Sequence, residues 1–193
     1  SNTNINMSMM TVKQAEEVTA DETALLGLAP SVIRKEGATG EASKINATFF
    51  GIDPDEFIMP EVIDGRRFEN DDEVVADISL KEEEGIELGD TVQLAGSDKE
   101  VEVVGFTENA KFNVAPVLYT TIASYQEVRF EASDDSENGR INAVVVRDAS
   151  KSLKDVVANS DELVAYFIGD YIFKIPGYSA QVLTFGLMIG FLI

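Results

Sequence analysis

After Lys174 the chain carries no charged residue through Ile193, a run of 19 positions. That is close to the roughly 20 apolar residues a helix needs to cross a bilayer. Phe185, Leu187, Met188, Ile189, Phe191, Leu192 and Ile193 leave no polar face for water, as a helix at the surface of a soluble core would have. Gly186 and Gly190 add the spacing of four at which small residues let membrane helices approach. The competing reading is a buried C-terminal core helix. The missing polar face favours the membrane, so residues 178–193 are expected to begin a transmembrane helix. The opening Ser1-Asn2, with neither initiator Met nor signal peptide, reads as the edge of an excised fragment.

The rest of the chain reads as a water-exposed domain. With 193 residues, 45% of them hydrophobic, it can build one medium core or two small ones. It has no Cys and no His, which removes disulfides, thiol nucleophiles, imidazole bases and ordinary zinc sites. The net charge of −20 argues against nucleic acid as a partner. Residues 53–108 hold nineteen acids against four bases, a net of −15, so one segment carries most of the field. That segment is expected to be a solvated face held away from the anionic membrane surface.

Along the chain, Thr11-Val-Lys-Gln14 has the form of a capping box opening a helix over 12–19. Residues 24–28 and 31–35 read as extended segments on either side of Pro30, and 45–49 alternate as a strand. A strand is expected over 73–77, then a helix from a second capping box, Ser79-Leu-Lys-Glu82, to Gly85. Residues 91–94 and 100–105 form a hairpin through Gly96-Ser97-Asp98. Another strand over 116–121, a helix over 122–128, an acidic loop over 131–139 and a buried strand over 141–146 follow. Ser152-x-x-Asp155 opens a helix, and a last amphipathic helix over 161–173 leads into the apolar run through Ile175, Pro176 and Gly177. The order implies an α+β fold with a hairpin-rich insert between two αβ parts.

No motif for chemistry survives inspection. Asp134-Asp-Ser-Glu-Asn-Gly-Arg-Ile141 matches the first half of a calcium loop, but Val145 stands where the closing bidentate Glu belongs. The acids of Asp53-Pro-Asp-Glu56 and Asn70-Asp-Asp-Glu73 sit in turn-forming sequence, where solvation suits them better than acid–base work. Arg66-Arg67 reads as a local partner for nearby acids. With no phosphate loop, nucleophile elbow or metal cluster, the expectation is no catalytic residue, no metal, no cofactor and no enzyme.

The succession Phe49-Phe-Gly-Ile-Asp-Pro54, Gly65-Arg-Arg-Phe68, Glu73-Val-Val-Ala-Asp77, Leu88-Gly-Asp-Thr-Val92, Val103-Val-Gly-Phe106 and Ala115-Pro-Val-Leu-Tyr119 resembles the extracytoplasmic core domain of MacB-like, FtsX-like ABC transporter permeases. Residues 49–54, 109–119 and Ile175-Pro-Gly-Tyr-Ser-Ala-Gln-Val-Leu-Thr184 are most similar to the Gram-positive hemin exporter permeases, HrtB-like. The resemblance implies an α/β subdomain from 1–60 plus 140–177, an inserted β-rich subdomain over 61–139, and the membrane helix from 178. It implies a permease homodimer in the cell membrane, a cytoplasmic ABC ATPase as partner, this domain on the extracellular side, and efflux of an amphipathic compound, hemin among the candidates. Without His, only Tyr, Met or apolar groups could touch haem. Tyr171, Phe173 and Tyr178, near the expected bilayer boundary, are the candidate ligand contacts, although amphipathic aromatics favour that interface in any case. Ile175, Pro176 and Gly177 form a short, partly stiff joint suited to passing a tilt of the membrane helix outward. Two other roles fit the sequence: an FtsX-type regulatory domain that binds and activates a cell-wall hydrolase, and a surface module on a single anchor.

Overall fold

The computed structural model describes residues 9–147 and, as strands, Leu163–Phe167 and Gly186–Phe191. The chain starts with β1 (Met10–Thr11) and α1 (Val12–Ala15), then a long β2 (Glu22–Lys35) and β3 (Ile45–Gly51). Next come β4 (Asp64–Gly65), β5 (Glu73–Asp77), α2 (Ser79–Glu84), β6 (Thr91–Leu94) and β7 (Glu100–Thr107). The second half holds β8 (Lys111–Phe112), β9 (Ala115–Thr120), α3 (Ile122–Phe130), β10 (Arg140–Ile141) and β11 (Ala143–Arg147). The last two strands are β12 (Leu163–Phe167) and β13 (Gly186–Phe191). This is an α+β fold, as expected.

Six strands close a ring. β2 pairs with β3, β3 with β9, β9 with β5, β5 with β7, β7 with β6, and β6 returns to β2 at Ile33–Leu94. The β3–β9 and β5–β7 pairs are parallel and the other four antiparallel. Alternation fills the interior: Ile33, Phe49, Val74, Val92, Val103 and Leu118 belong to one buried cluster. The outward positions Phe50, Val75, Val117 and Tyr119 join a second cluster, together with Ile52, Ile58 and Phe68 from the 52–68 segment. A register shift between Val74 and Val75 leaves β7 with one extra residue at Val104, and the bulge re-aims Phe106 into the interior cluster.

The first half of β2 leaves the ring to pair with β11, and β11 pairs with β13, which pairs with β12. The sheet is therefore continuous across the expected boundaries at 60/61 and 139/140, since β2 and β3 supply two of the six ring strands. Pro30 does not interrupt β2. It falls between Leu26, where β11 ends, and Ile33, where β6 joins, so one edge of β2 has no partner strand there that needs an N–H.

Several local expectations change. The capping box at Thr11 forms, with Gln14 N–H donating to Thr11 Oγ1 at 3.2 Å and Thr11 N–H to Gln14 Oε1 at 2.9 Å, but the helix ends at Ala15. The second box does not form: Ile78 is the cap, and Ser79 Oγ donates to Asp77 instead, at 2.5 Å. Within the helix expected over 161–173, Leu163–Phe167 is a strand. Within the membrane helix expected over 178–193, Gly186–Phe191 is a strand between β11 and β12. Short apolar runs rich in branched and aromatic residues satisfy either period, and pairing of β13 with β11 on one side and β12 on the other satisfies their backbone groups. The helix expected at 152–155 lies outside the described residues, as does the remainder of both C-terminal segments. Among the described residues no helix is long and apolar enough to cross a membrane.

Candidate interaction surface

Tyr171, Phe173 and Tyr178, and the joint Ile175, Pro176 and Gly177, lie outside the described residues. The candidate sites inside them resolve into structural roles. Glu73 is buried and takes both guanidinium nitrogens of Arg66, at 2.8 and 2.5 Å, plus the Glu69 N–H at 2.8 Å. The Arg66 hydrogen bonds hold its carboxyl well down, at about 2, so it is a poor proton acceptor at neutral pH. The sequence reading placed Glu73 in a solvated loop; Arg66 is what allows its burial. Arg67 donates to the Pro54 carbonyl, and Asp53 closes a local turn by accepting the Asp55 N–H. Asp134 does the same with Ser136, and among the described residues no group of three acids could hold a metal. Burial pushes the Tyr119 and Tyr125 phenols up from their ordinary value, which keeps both protonated and unsuited to bind iron as phenolates.

One buried polar cluster fixes α3. Tyr125 lies flat on the backbone where Gly27 of β2 faces Gly51 of β3. A Cβ at Gly27 would come 2.3 Å from the Tyr125 ring, and one at Gly51 2.3 Å from the Tyr125 Cβ. Tyr125 O–H donates to Asn142 Oδ1 at 2.7 Å, and the same oxygen accepts the Leu28 N–H at 2.6 Å. Asn142 sits between β10 and β11, so one side chain ties α3, β2 and the start of the side sheet together. Nothing in the pattern of residues signals this cluster, because each residue type is ordinary and only the register brings them together.

The feature that projects outward is the β8–β9 hairpin. Lys111 faces Pro116 and Phe112 faces Ala115, leaving a two-residue loop, Asn113-Val114, with both φ angles positive at 47° and 67°. That is the geometry of a type I′ turn, in which Gly is the favoured second residue. The root is fixed: buried Asp77 accepts the Ala110 N–H at 2.6 Å, and Phe112 packs edge-on against Phe50 at 5.8 Å. Val114 itself is 92% exposed. A β-branched residue in left-handed backbone, with no packing in return, is a genuine outlier and points to a role for the tip.

Beside the hairpin runs α2. Its Glu83 meets Lys111 at 3.4 Å, and its Lys81 reaches Asp64 at 3.0 Å and Glu87 at 3.3 Å while lying over the Phe106 ring. Past Asp64 and Glu87 are Ile63, 47% exposed, and Leu88, 39% exposed. A Cβ at Gly65 would stand 2.9 Å from Leu88, which places Leu88 against the β4 edge that follows Ile63. Among the described residues, Val114, Ile63 and Leu88 are the large hydrophobic side chains left exposed, and they flank one helix.

Neither a protein-family profile nor a curated protein sequence matches this chain. Solved structures do. The extracellular domain of the noncanonic ABC-type transporter YknZ from Gram-positive bacteria aligns with a TM-score of 0.50 and 18% identity, over 76% of this chain and 77% of that one. A Porphyromonas gingivalis domain described as part of a permease protein aligns at 0.51 and 16%, over 77% and 71%. The fold is shared with ABC-permease outer domains. The periplasmic region of MacB from Actinobacillus actinomycetemcomitans also aligns, at 0.48 and 16% identity over 73% of this chain, which spans 65% of that region.

Proposed function

We propose that this chain is the extracellular-side domain of an ABC exporter permease in the cell membrane, coupling ATP hydrolysis by a cytoplasmic partner to efflux of an amphipathic compound. The observation that carries the reading is the fold likeness to the YknZ extracellular domain over about three quarters of both chains. In this role the domain performs no chemistry and needs no cofactor. It is a rigid body that moves with the membrane helices.

Deleting the parent gene, alone and with its neighbouring ATPase gene, tests the reading. Cells lacking either should become hypersensitive to the same amphipathic compounds, hemin included in the panel, and should retain more of them. Unchanged sensitivity across the panel with defective cell separation would point to hydrolase regulation instead.

A further inference from the structure

We propose that Asn138-Gly139 is a site of spontaneous deamidation, held off while the N-terminal segment β1–α1 is docked on it and irreversible once that segment has come away. The inference starts from the sequence, in which Asn138 is the one asparagine followed by glycine. A glycine amide is open to reaction because no side chain shields it, whereas exposed Asn109 and Asn113 are followed by Ala and Val. The fold cannot exchange this glycine, since a Cβ there would stand 2.3 Å from the Asp134 carbonyl oxygen. Buried Gln126 of α3 clamps both ends of the loop, accepting the Asp134 N–H at 2.8 Å and donating to the Arg140 carbonyl at 3.2 Å.

Two backbone bonds straddle Asn138. The Val12 N–H donates to the Gly139 carbonyl at 2.9 Å, and the Lys13 N–H to the Glu137 carbonyl at 2.8 Å. They dock α1 on the turn, where the Gly139 N–H is itself engaged with the Ser136 carbonyl at 2.9 Å. The nitrogen that must attack is therefore buried and bonded, while the side chain it attacks is exposed. When the segment lifts, the turn can open. The Gly139 nitrogen then gives its proton to solvent and bonds to Asn138 Cγ. The Cγ–Nδ2 bond breaks, ammonia leaves with a proton from water, and a five-membered imide remains. Water opens the imide at either carbonyl, leaving aspartate or isoaspartate at position 138. Isoaspartate puts an extra methylene into the main chain between the two acceptors, so Val12 and Lys13 no longer reach both at once. Either product adds a negative charge to a loop that already holds Asp134, Asp135 and Glu137. Release uncovers Met10, Ala15 and Val18, which are buried with Ile141, Val144 and Val146 in the docked state. The proposal stands whether or not the parent protein is an exporter.

The test ages the 193-residue chain at mildly alkaline pH, where the attacking amide loses its proton more readily. Full digestion with trypsin then releases residues 130–140 as one peptide. Position 138 should convert to aspartate and isoaspartate while Asn109 and Asn113 keep their amides. Val12→Pro removes the N–H that reaches Gly139 at the first helical position, where proline is tolerated. It should convert about fivefold faster, the change in opening that one lost backbone hydrogen bond brings. In brief trypsin treatment of the folded wild type, converted chains should be cut after Lys13 ahead of unconverted ones, and aged Asn138→Gln chains should resist. Conversion at position 138 no greater than at Asn109 and Asn113 would overturn the proposal. So would equal rates in wild type and a folded Val12→Pro, or isoaspartate chains as resistant at Lys13 as fresh ones. Should Val12→Pro not fold, the two wild-type readouts decide alone.

Discussion

The β6–β7 and β8–β9 hairpins use their turns differently. In β6–β7 the turn carries Gly96 at φ +83°, and nothing lies within 4 Å of the place its Cβ would occupy. In β8–β9 the corresponding left-handed positions hold Asn113 and Val114. The first hairpin supplies two of the six ring strands and buries Val92, Leu94, Val101 and Val103 inside. In the second, β9 is a ring strand and only β8 lies off the ring, held by Phe112 and Ala110. Where a turn serves only the fold, it takes the residue with the lowest backbone cost. Where it holds an exposed side chain in place, it accepts strain of about 1–2 kcal/mol. Residue choice thus separates the turn of a hairpin inside the ring from the turn of one exposed outside it.

The contrast breaks first if the ring is not the stabilising core. Phe49→Ala, inside it, should lower unfolding free energy by about 3–5 kcal/mol in urea denaturation. A loss below about 1 kcal/mol would mean the ring interior is not packed as described. Gly51→Ala should cost about 3 kcal/mol by the same measurement, since its methyl group must displace Tyr125. If it leaves stability unchanged, α3 does not rest on that glycine pair.

Acid should act on the ring through Glu73. Its carboxyl is held at about 2 rather than the ordinary 4.5, so the stability it contributes is complete above about 4.5 and is lost as pH falls through about 2. The loss should be about 2 kcal/mol, less than the full shift implies because Arg66 is half exposed to solvent screening. Glu73→Gln should flatten the stability profile in that window, and an unchanged slope would place the acid sensitivity elsewhere.

The smallest effect is the sharpest for the comparison. Val114→Gly should stabilise the domain by about 0.5–1 kcal/mol, against the usual direction of single substitutions, whereas Gly96→Val should cost about 1–2 kcal/mol. Thermal denaturation of the exchanged pair decides it. Loss of stability in Val114→Gly would show that the valine packs and is not strained.

These two hairpins also show what the sequence could reveal. Gly96-Ser97-Asp98 between alternating strands announced its turn. Asn113-Val114 did not, because a branched residue there contradicts the turn signal rather than giving it. Strand β3 was legible from alternation, and β5, β6, β7 and β9 from short runs set between turn residues. Ring closure was not, since it depends on Ile33 meeting Leu94 across 61 positions. Glu73 looked solvated because Arg66 precedes it by seven residues in a charge-rich segment, and only the fold joins them. The apolar C-terminal stretch was plain as composition but ambiguous as structure, and Gly186–Phe191 pairs as a strand.

The proposal most directly open to test is that this domain faces the outside of the cell on an ABC-type permease. Ser133, in the exposed acidic loop, is replaced by Cys in the cysteine-free domain of the intact parent protein, with any cysteines elsewhere changed to Ser. Living cells are then treated with a membrane-impermeant maleimide. The account predicts full labelling of Cys at 133 before the membrane is opened. Labelling only after permeabilisation would place the domain on the cytoplasmic side and contradict it.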